Sequence, residues 1–404
     1  MNPPQAMRKL ILPLAVALLA CGCGSTTQIL VKASPGGVTS GNPRAAQEIG
    51  FPYIATKNTT RVDGGDPITD AAGVALAVYP SAGGGTHPSV VVLAPTDDWQ
   101  AAIASSVFSS SPLNAPILLS GSSALPSATR DALTSLNPIG SGSVSGAQVI
   151  RVGDVPKLPN GQRSAVISGS DPYTLAAGIN RFVSAVDGRP SQDVVIASAD
   201  SPAYAMPAAG WAAESGNPIL FVSSSGVPAA TRQALLSDQK PHIYVLGPTS
   251  AVSNGVIKQL SKYGSVKRVS GSDPSANSVA FATYRDPPCT PGQACAHVPG
   301  SFGWALRSPG HGYTLLNQSR PLDAAASAPL SASGSFGAQL VVDSAAKLPS
   351  SILNFFLNYA TPGFTAEGPT AAVYNHAWII GDEQAVSTSV QAEVDSLLEA
   401  VPQK

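Results

Sequence analysis

The stretch from Asp193 to Pro274 holds three short apolar runs, Val194-Val195-Ile196-Ala197, Ile219-Leu220-Phe221-Val222 and Ile243-Tyr244-Val245-Leu246. Each is too short for a core helix and rich in β-branched or bulky residues, so each predicts a strand buried on both faces. Between them lie Ala-rich segments with helical spacing, Ala205 to Ala213 and Thr231 to Leu236. Strand, helix, strand, helix, strand predicts an α/β fold with a parallel sheet and right-handed crossovers. The stretch closes on Arg268-Val269-Ser270-Gly271-Ser272-Asp273-Pro274, a phrase with counterparts elsewhere in the chain.

Working outward, three markers recur in one order, the signature of an internal repeat. The first is Gly-x-Asp-Pro, at Gly64-Gly65-Asp66-Pro67, Gly169-Ser170-Asp171-Pro172 and Gly271-Ser272-Asp273-Pro274. Asp suits a helix N-cap, and Pro suits the first helical position, where the missing N–H has no partner to lose. The second is a middle strand, Pro116-Ile117-Leu118-Leu119, Pro218-Ile219-Leu220-Phe221 and, more loosely, Ala338-Gln339-Leu340-Val341. The third is a helix-starting proline at Leu125-Pro126, Val227-Pro228 and Leu348-Pro349, which follows the start of the second marker by 10, 10 and 11 residues. Three similar parallel-sheet βα modules are therefore expected, spanning 51–160, 161–267 and 268–404.

This pattern resembles the cell wall binding repeat 2 family, modules that hold surface proteins on Gram-positive walls. The family phrase runs Arg-x-x-Gly-x-Asp-Arg, a strand, an Asp-Ala-Leu helix, Pro-Ile-Leu-Leu, a Leu-Pro helix start, a strand ending in Gly, then Ala-Val-Ser. Arg61 and Arg268 stand at the Arg position. Asp98 and Asp323 resemble the Asp of Asp-Ala-Leu, with Tyr204-Ala205-Met206 in that place in the middle copy. Gly247 with Ala251-Val252-Ser253, and Gly381 with Ala385-Val386-Ser387, match the end of the module. Three departures stand out: Pro replaces the Arg after Gly-x-Asp in every copy, copy one lacks the Ala-Val-Ser helix, and copy three has lost the Pro-Ile-Leu-Leu wording. The resemblance implies topoisomerase-primase-like modules packed with pseudo-threefold symmetry. It further implies noncovalent, multivalent attachment to an anionic cell wall polymer, with Arg61, Arg163 and Arg268 as candidate contacts through charge-assisted hydrogen bonds.

Residues 1–20 read as a bacterial lipoprotein signal peptide: Arg8 and Lys9, an apolar stretch from Leu10 to Ala20 too short to span, and Leu18-Leu19-Ala20-Cys21 like a lipobox. Cys21 is the expected lipidation site, with Cys23 the alternative. Residues 21–50 are polar and Gly/Ser/Thr/Pro-bearing, so they read as a flexible tether from the membrane to the folded body. Lys plus Arg number 23 against 24 Asp plus Glu, a balance that argues against nucleic acid as a partner.

Cys289 and Cys295 lie in a Pro/Gly-rich insertion, 285–300, and in an exported chain two Cys in one loop read as a disulfide. The rival, a metal site with His297 and His311, lacks a second Cys pair. The five His do not accompany a Gly-x-Ser-x-Gly elbow, and Gly83-Gly84-Gly85 is not followed by Gly-Lys-Ser, so neither a catalytic residue nor a cofactor is expected. Trp99 and Trp211 fall in equivalent helices and read as packing residues. The alternative function is a surface lipoprotein that captures a small solute. Such binders usually have two lobes, which three similar units do not match.

Overall fold

The computed structural model describes residues 53–80, 87–158, 161–290, 300–332, 336–364 and 373–402. The expected signal peptide and tether, Cys21, Cys23, Cys295 and the Gly83–Gly85 loop lie outside them. The strands in chain order are β1 (Tyr53–Ala55), β2 (Thr59–Val62), β3 (Val91–Pro95), β4 (Ile117–Ser120), β5 (Val149–Val152), β6 (Ser164–Ile167), β7 (Asp193–Ser198) and β8 (Ile219–Val222). There follow β9 (His242–Leu246), β10 (Ser265–Val269), β11 (Gly312–Asn317), β12 (Phe336–Val342), the short β13 (Gly363–Phe364), β14 (His376–Ile380) and the short β15 (Val401–Pro402).

They build three principal sheets in one repeated order: β4-β3-β5-β6, β8-β7-β9-β10, and β12-β11-β14-β2 with β1 added at its edge. Every pair is parallel except β1 with β2. The fold is thus mixed α/β, made of parallel-sheet βα units. β3, β4 and β8 are buried along their whole length, as continuous apolar runs covered on both faces should be.

The Gly-x-Asp-Pro phrase divides two sheets. The strand before it completes one sheet, and the helix after it covers the next. β6 completes the first sheet, while the following helix Pro172–Asp187 packs on β8 of the second. β10 completes the second, and helix Pro274–Ala282 packs on β12 of the third. The third sheet is completed from the other end of the chain, by β2, and helix Pro67–Val78 then packs on β4 of the first. Each of these helices starts as its sequence predicts, with Pro in the first turn and Asp66, Asp171 or Asp273 accepting backbone N–H groups through its carboxylate. Such a cap contributes about 1 kcal/mol.

The β1–β2 hairpin is pinned in place by Asp395 of helix Thr388–Leu397, whose carboxylate accepts the Asn58 N–H at 2.7 Å while its carbonyl accepts from Asn58 Nδ2 at 3.0 Å.

The helices Trp99–Ala104, Pro207–Ser215 and Leu322–Ala332 pack against one another between the sheets. Their small residues, among them Ala102, Ala209 and Ala325, are fully buried, which lets the backbones come close. Gly210 is the tightest approach: a Cβ there would meet Ser331 Oγ at 2.8 Å, while its N–H donates to Gln339 Oε1 at 3.1 Å. Gln339 Nε2 in turn donates to the Ala324 carbonyl at 2.7 Å, so one buried amide on β12 joins helix Pro207–Ser215 to helix Leu322–Ala332. The expected helix from Ala205 to Ala213 is two helices, Pro202–Ala205 and Pro207–Ser215, because Pro207 has no N–H to continue the first. Trp99 packs edge-on against Phe221 of the neighbouring sheet at 5.7 Å, and Trp211 lies among Phe281, Phe302 and Trp304. Both Trp side chains pack inside the protein.

Candidate functional site

Parallel strands leave their carboxyl ends at one end of a sheet, where the chain turns off and functional groups collect. In this protein the third strand of each sheet ends in a glycine with positive φ: Gly153 at +67°, Gly247 at +108° and Gly381 at +93°. At Gly381 a Cβ would also press to 2.7 Å from the Ala385 Cβ.

A guanidinium closes each of these ends. Arg61 on β2 donates from Nη1 to the carbonyls of Gly381 at 2.7 Å and Asp382 at 3.0 Å, and from Nε to Gln391 Oε1 at 2.8 Å. Arg268 on β10 donates to the Gly247 carbonyl at 2.6 Å and the Val252 carbonyl at 2.7 Å. By register, β2 places Arg61 opposite Ile379 and β10 places Arg268 opposite Val245. In the first sheet the same position is Val166, opposite Arg151. The cation has moved one strand over, and Arg151 donates to the Val155 carbonyl.

Arg61 is 0% exposed, and burial lowers its pKa. The expectation that Arg61 and Arg268 reach outward to a polymer therefore meets a different geometry: Arg61 has no outer face, and both guanidiniums are directed at backbone carbonyls that the turns leave without strand partners. Arg151 was missed by motif matching; the signal was the absence of Arg from position 166, which leaves a carbonyl-rich strand end in need of a donor.

Arg163 is placed otherwise. It precedes β6, three residues before Val166, at the opposite end of the sheet, and its side chain is exposed. Its backbone is held by Gln148, whose N–H donates to the Arg163 carbonyl at 2.9 Å. Among the described residues its guanidinium has no hydrogen bond or ion pair. It lies against Gly146, where a Cβ would meet Nη2 at 2.7 Å, so the glycine makes room for it. Arg163 borders an open groove of about 510 Å³ that is also lined by Ser143, Ser145, Ser164, Phe182 and Val186. A free planar cation beside hydroxyls and apolar side chains suits a phosphate or carboxylate group attached to a sugar or polyol.

The third sheet's end also holds a buried charge network. Arg320 pairs with Asp70, with Asp323 at 2.8 Å and, more distantly, with Asp382 at 3.7 Å. Asp70 and Asp323 are 0% exposed. Burial raises both carboxyls above the usual range, the Asp323 charge adds to the rise at Asp70, and Arg320 opposes it at both. Asp70 also accepts the Gly64 N–H at 2.9 Å, so the network ties the start of the folded chain to the third sheet. Asp98, matched to Asp323 in sequence, instead caps helix Trp99–Ala104 through the Ala101 N–H at 2.8 Å.

The two His at matching strand starts have local partners, His242 with Asp193 at 3.0 Å and His376 with Thr60 at 3.0 Å. Cys289 is disulfide-bonded; its expected partner, Cys295, is outside the described residues. Among the described residues no group of His, Cys, Asp and Glu is arranged to hold a metal ion, and no helix is long and apolar enough to cross a membrane.

Residues 166–257 match the family model described as Cell wall binding domain 2 (CWB2). The expected family resemblance is borne out over that segment. The CWB2 segment starts at Val166, the place that Arg61 and Arg268 fill in the other two sheets, and takes in helix Pro172–Asp187, β7, β8 and β9. It supports association with the cell wall.

Solved structures of similar fold include Cwp8 from Clostridium difficile, with a TM-score of 0.61 and 17% identity, covering 84% of this chain and 52% of that one. Cwp6 from Clostridium difficile gives a TM-score of 0.64 and 17% identity, covering 85% of this chain and 48% of that one. The chain thus spans about half the length of these structures, and at such identity the likeness is one of fold. No curated protein matches the chain.

Proposed function

We propose that this protein binds an anionic cell wall polymer noncovalently and is a binding protein, not an enzyme. The observation that carries the reading is the CWB2 match at residues 166–257, which includes helix Pro172–Asp187, whose Phe182 and Val186 line the Arg163 groove. In this reading the modules 51–160, 161–267 and 268–404 act as one multivalent unit with pseudo-threefold symmetry, so that weak contacts add through effective concentration. Arg163 meets the polymer's charged groups, while Arg61, Arg151 and Arg268 hold the strand ends that shape each module. A lipid on Cys21 fixes the chain to the outer face of the membrane, and the protein links membrane and wall.

The test is retention of the full chain on purified cell walls before and after the anionic polymers are stripped. Retention is expected on the intact walls and not on the stripped ones, and the Arg163→Glu variant should lose at least about tenfold in apparent affinity, since it replaces a charge-assisted contact with repulsion. Equal retention on both preparations rejects the polymer as ligand. Stabilisation by a soluble metabolite, with no retention on walls, would favour solute capture instead.

A further inference from the structure

A second candidate site lies between helix Pro172–Asp187 and helix Ala229–Ser237, away from the Arg163 groove. Where these helices converge, Asn180 and Asp238 are 2% and 1% exposed. Asn180 Nδ2 donates to Asp238 Oδ2 at 2.9 Å, the Ser191 backbone N–H donates to the same carboxylate, and Ser191 Oγ donates to Asn180 Oδ1 at 3.3 Å. The pair borders a pocket of about 310 Å³ whose walls carry Thr174, Arg181, Ser184 and Gln233. Burial raises the Asp238 carboxyl to about 6 despite its two hydrogen bonds.

The first module packs the equivalent helices, Pro67–Val78 and Ser127–Leu136, without any of this polarity. Counting from the helix-capping Asp66 and Asp171, Ala75 stands where Asn180 does. Counting from Pro126 and Pro228, Leu136 stands where Asp238 does. Ala75 and Leu136 are both fully buried in an apolar cluster. An apolar pair therefore suffices to join these helices, and the polar pair carries a desolvation cost that packing does not require. A buried carboxylate and amide beside an open pocket are the arrangement of a ligand site.

We propose that this pocket holds a single neutral, hydroxyl-bearing saccharide unit, with Asp238 and Asn180 as its buried end. The proposal rests on the wall-polymer reading above, of which it supplies a sugar subsite. The Asp238 carboxylate has lone pairs beyond the two bonds it accepts, and sugar hydroxyls are donors that fill them. Arg181 at the rim disfavours a cationic ligand, and Asp238 disfavours an anionic one. A group that both donates and accepts suits the amide of Gln233 and the hydroxyl of Ser184. Ala177, Ala230 and Ala234 offer an apolar wall to the C–H face of a ring.

The test is saturation-transfer NMR of the full chain with glucose, galactose and N-acetylglucosamine as probes. At least one should bind, and the double variant Asn180→Ala with Asp238→Leu, which installs the first module's own pair, should weaken that binding at least about tenfold with the melting temperature kept. Asp238→Asn, nearly isosteric, should weaken it at least about threefold and serves if the double variant fails to fold. No binding of any probe, or equal binding by wild type and variant, overturns the pocket. Retention on walls is read separately: retention without sugar binding sinks only this proposal, and sugar binding without retention sinks the polymer reading.

Discussion

The carboxyl ends of the third and first sheets carry the same architecture and opposite side chains. On the third, Arg61 is 0% exposed beneath helix Thr388–Leu397, whose Gln391 accepts from it. On the first, the matching Val166 is 52% exposed, because none of the described residues between β5 and β6 is helical. The difference teaches that the covering helix, not the motif, decides whether this position is a buried donor or a surface residue. Where the helix is present, the buried guanidinium of Arg61 spends Nε on the helix's Gln391 and Nη1 on the carbonyls of Gly381 and Asp382. Where it is missing, the donor is moved to Arg151 and the vacated place faces solvent.

The largest effect should come from Arg320→Ala, which leaves Asp70 and Asp323 buried against each other without a cation. A loss of about 3–5 kcal/mol is expected by chemical denaturation; a loss under about 1 kcal/mol would mean that the closure of the third sheet does not depend on this network. Next comes Arg61→Val, which copies the first sheet's residue into the third. It strands the Gly381 carbonyl and Gln391 Oε1, at a cost of about 2–3 kcal/mol. A truncation at the matching place in the first sheet, Val166→Ala, should stay within about 0.5 kcal/mol, as exposed substitutions do. Equal costs at the two positions would break the comparison.

A smaller effect is expected from pH. Asp70 and Asp323 have folded pKa values raised above the unfolded value of about 3.9. Their protonated forms are favoured in the folded state, so their contribution is fully present below that value and is lost as pH rises through the folded values. Asp70→Asn mimics the protonated acid, and in the helix after the third Gly-x-Asp-Pro phrase Asn277 already plays this part, accepting the Gly271 N–H at 3.2 Å. The fall in melting temperature between pH 5 and pH 8 should be shallower in Asp70→Asn than in wild type. An unchanged slope would show that the two carboxyls are ionised throughout.

Much of the fold was legible in local patterns. The apolar runs became strands, the Asp-Pro pairs became helix caps, and the recurring markers fell at equivalent places in three sheets of one strand order. These features rest on interactions within a few residues, which a sequence displays directly. The candidate site was less legible. Arg61, Arg163 and Arg268 are all cations near a Gly-x-Asp-Pro phrase, yet one is buried, one half-buried and one exposed. Asn180 and Asp238, separated by most of a module, gave no motif at all, because their meeting depends on how two helices cross.

From sequence alone came the α/β class, the recurring markers and the helix starts at the Asp-Pro pairs, since propensity, capping and apolar periodicity act over short distances along the chain. Tertiary structure decided that β2, near the start of the described chain, completes a sheet whose other principal strands come from its last third, and that one Arg faces carbonyls while another faces water. The reason is physical: sheet partners and burial depend on which distant surfaces cover a residue, and that information is shared among residues hundreds of positions apart.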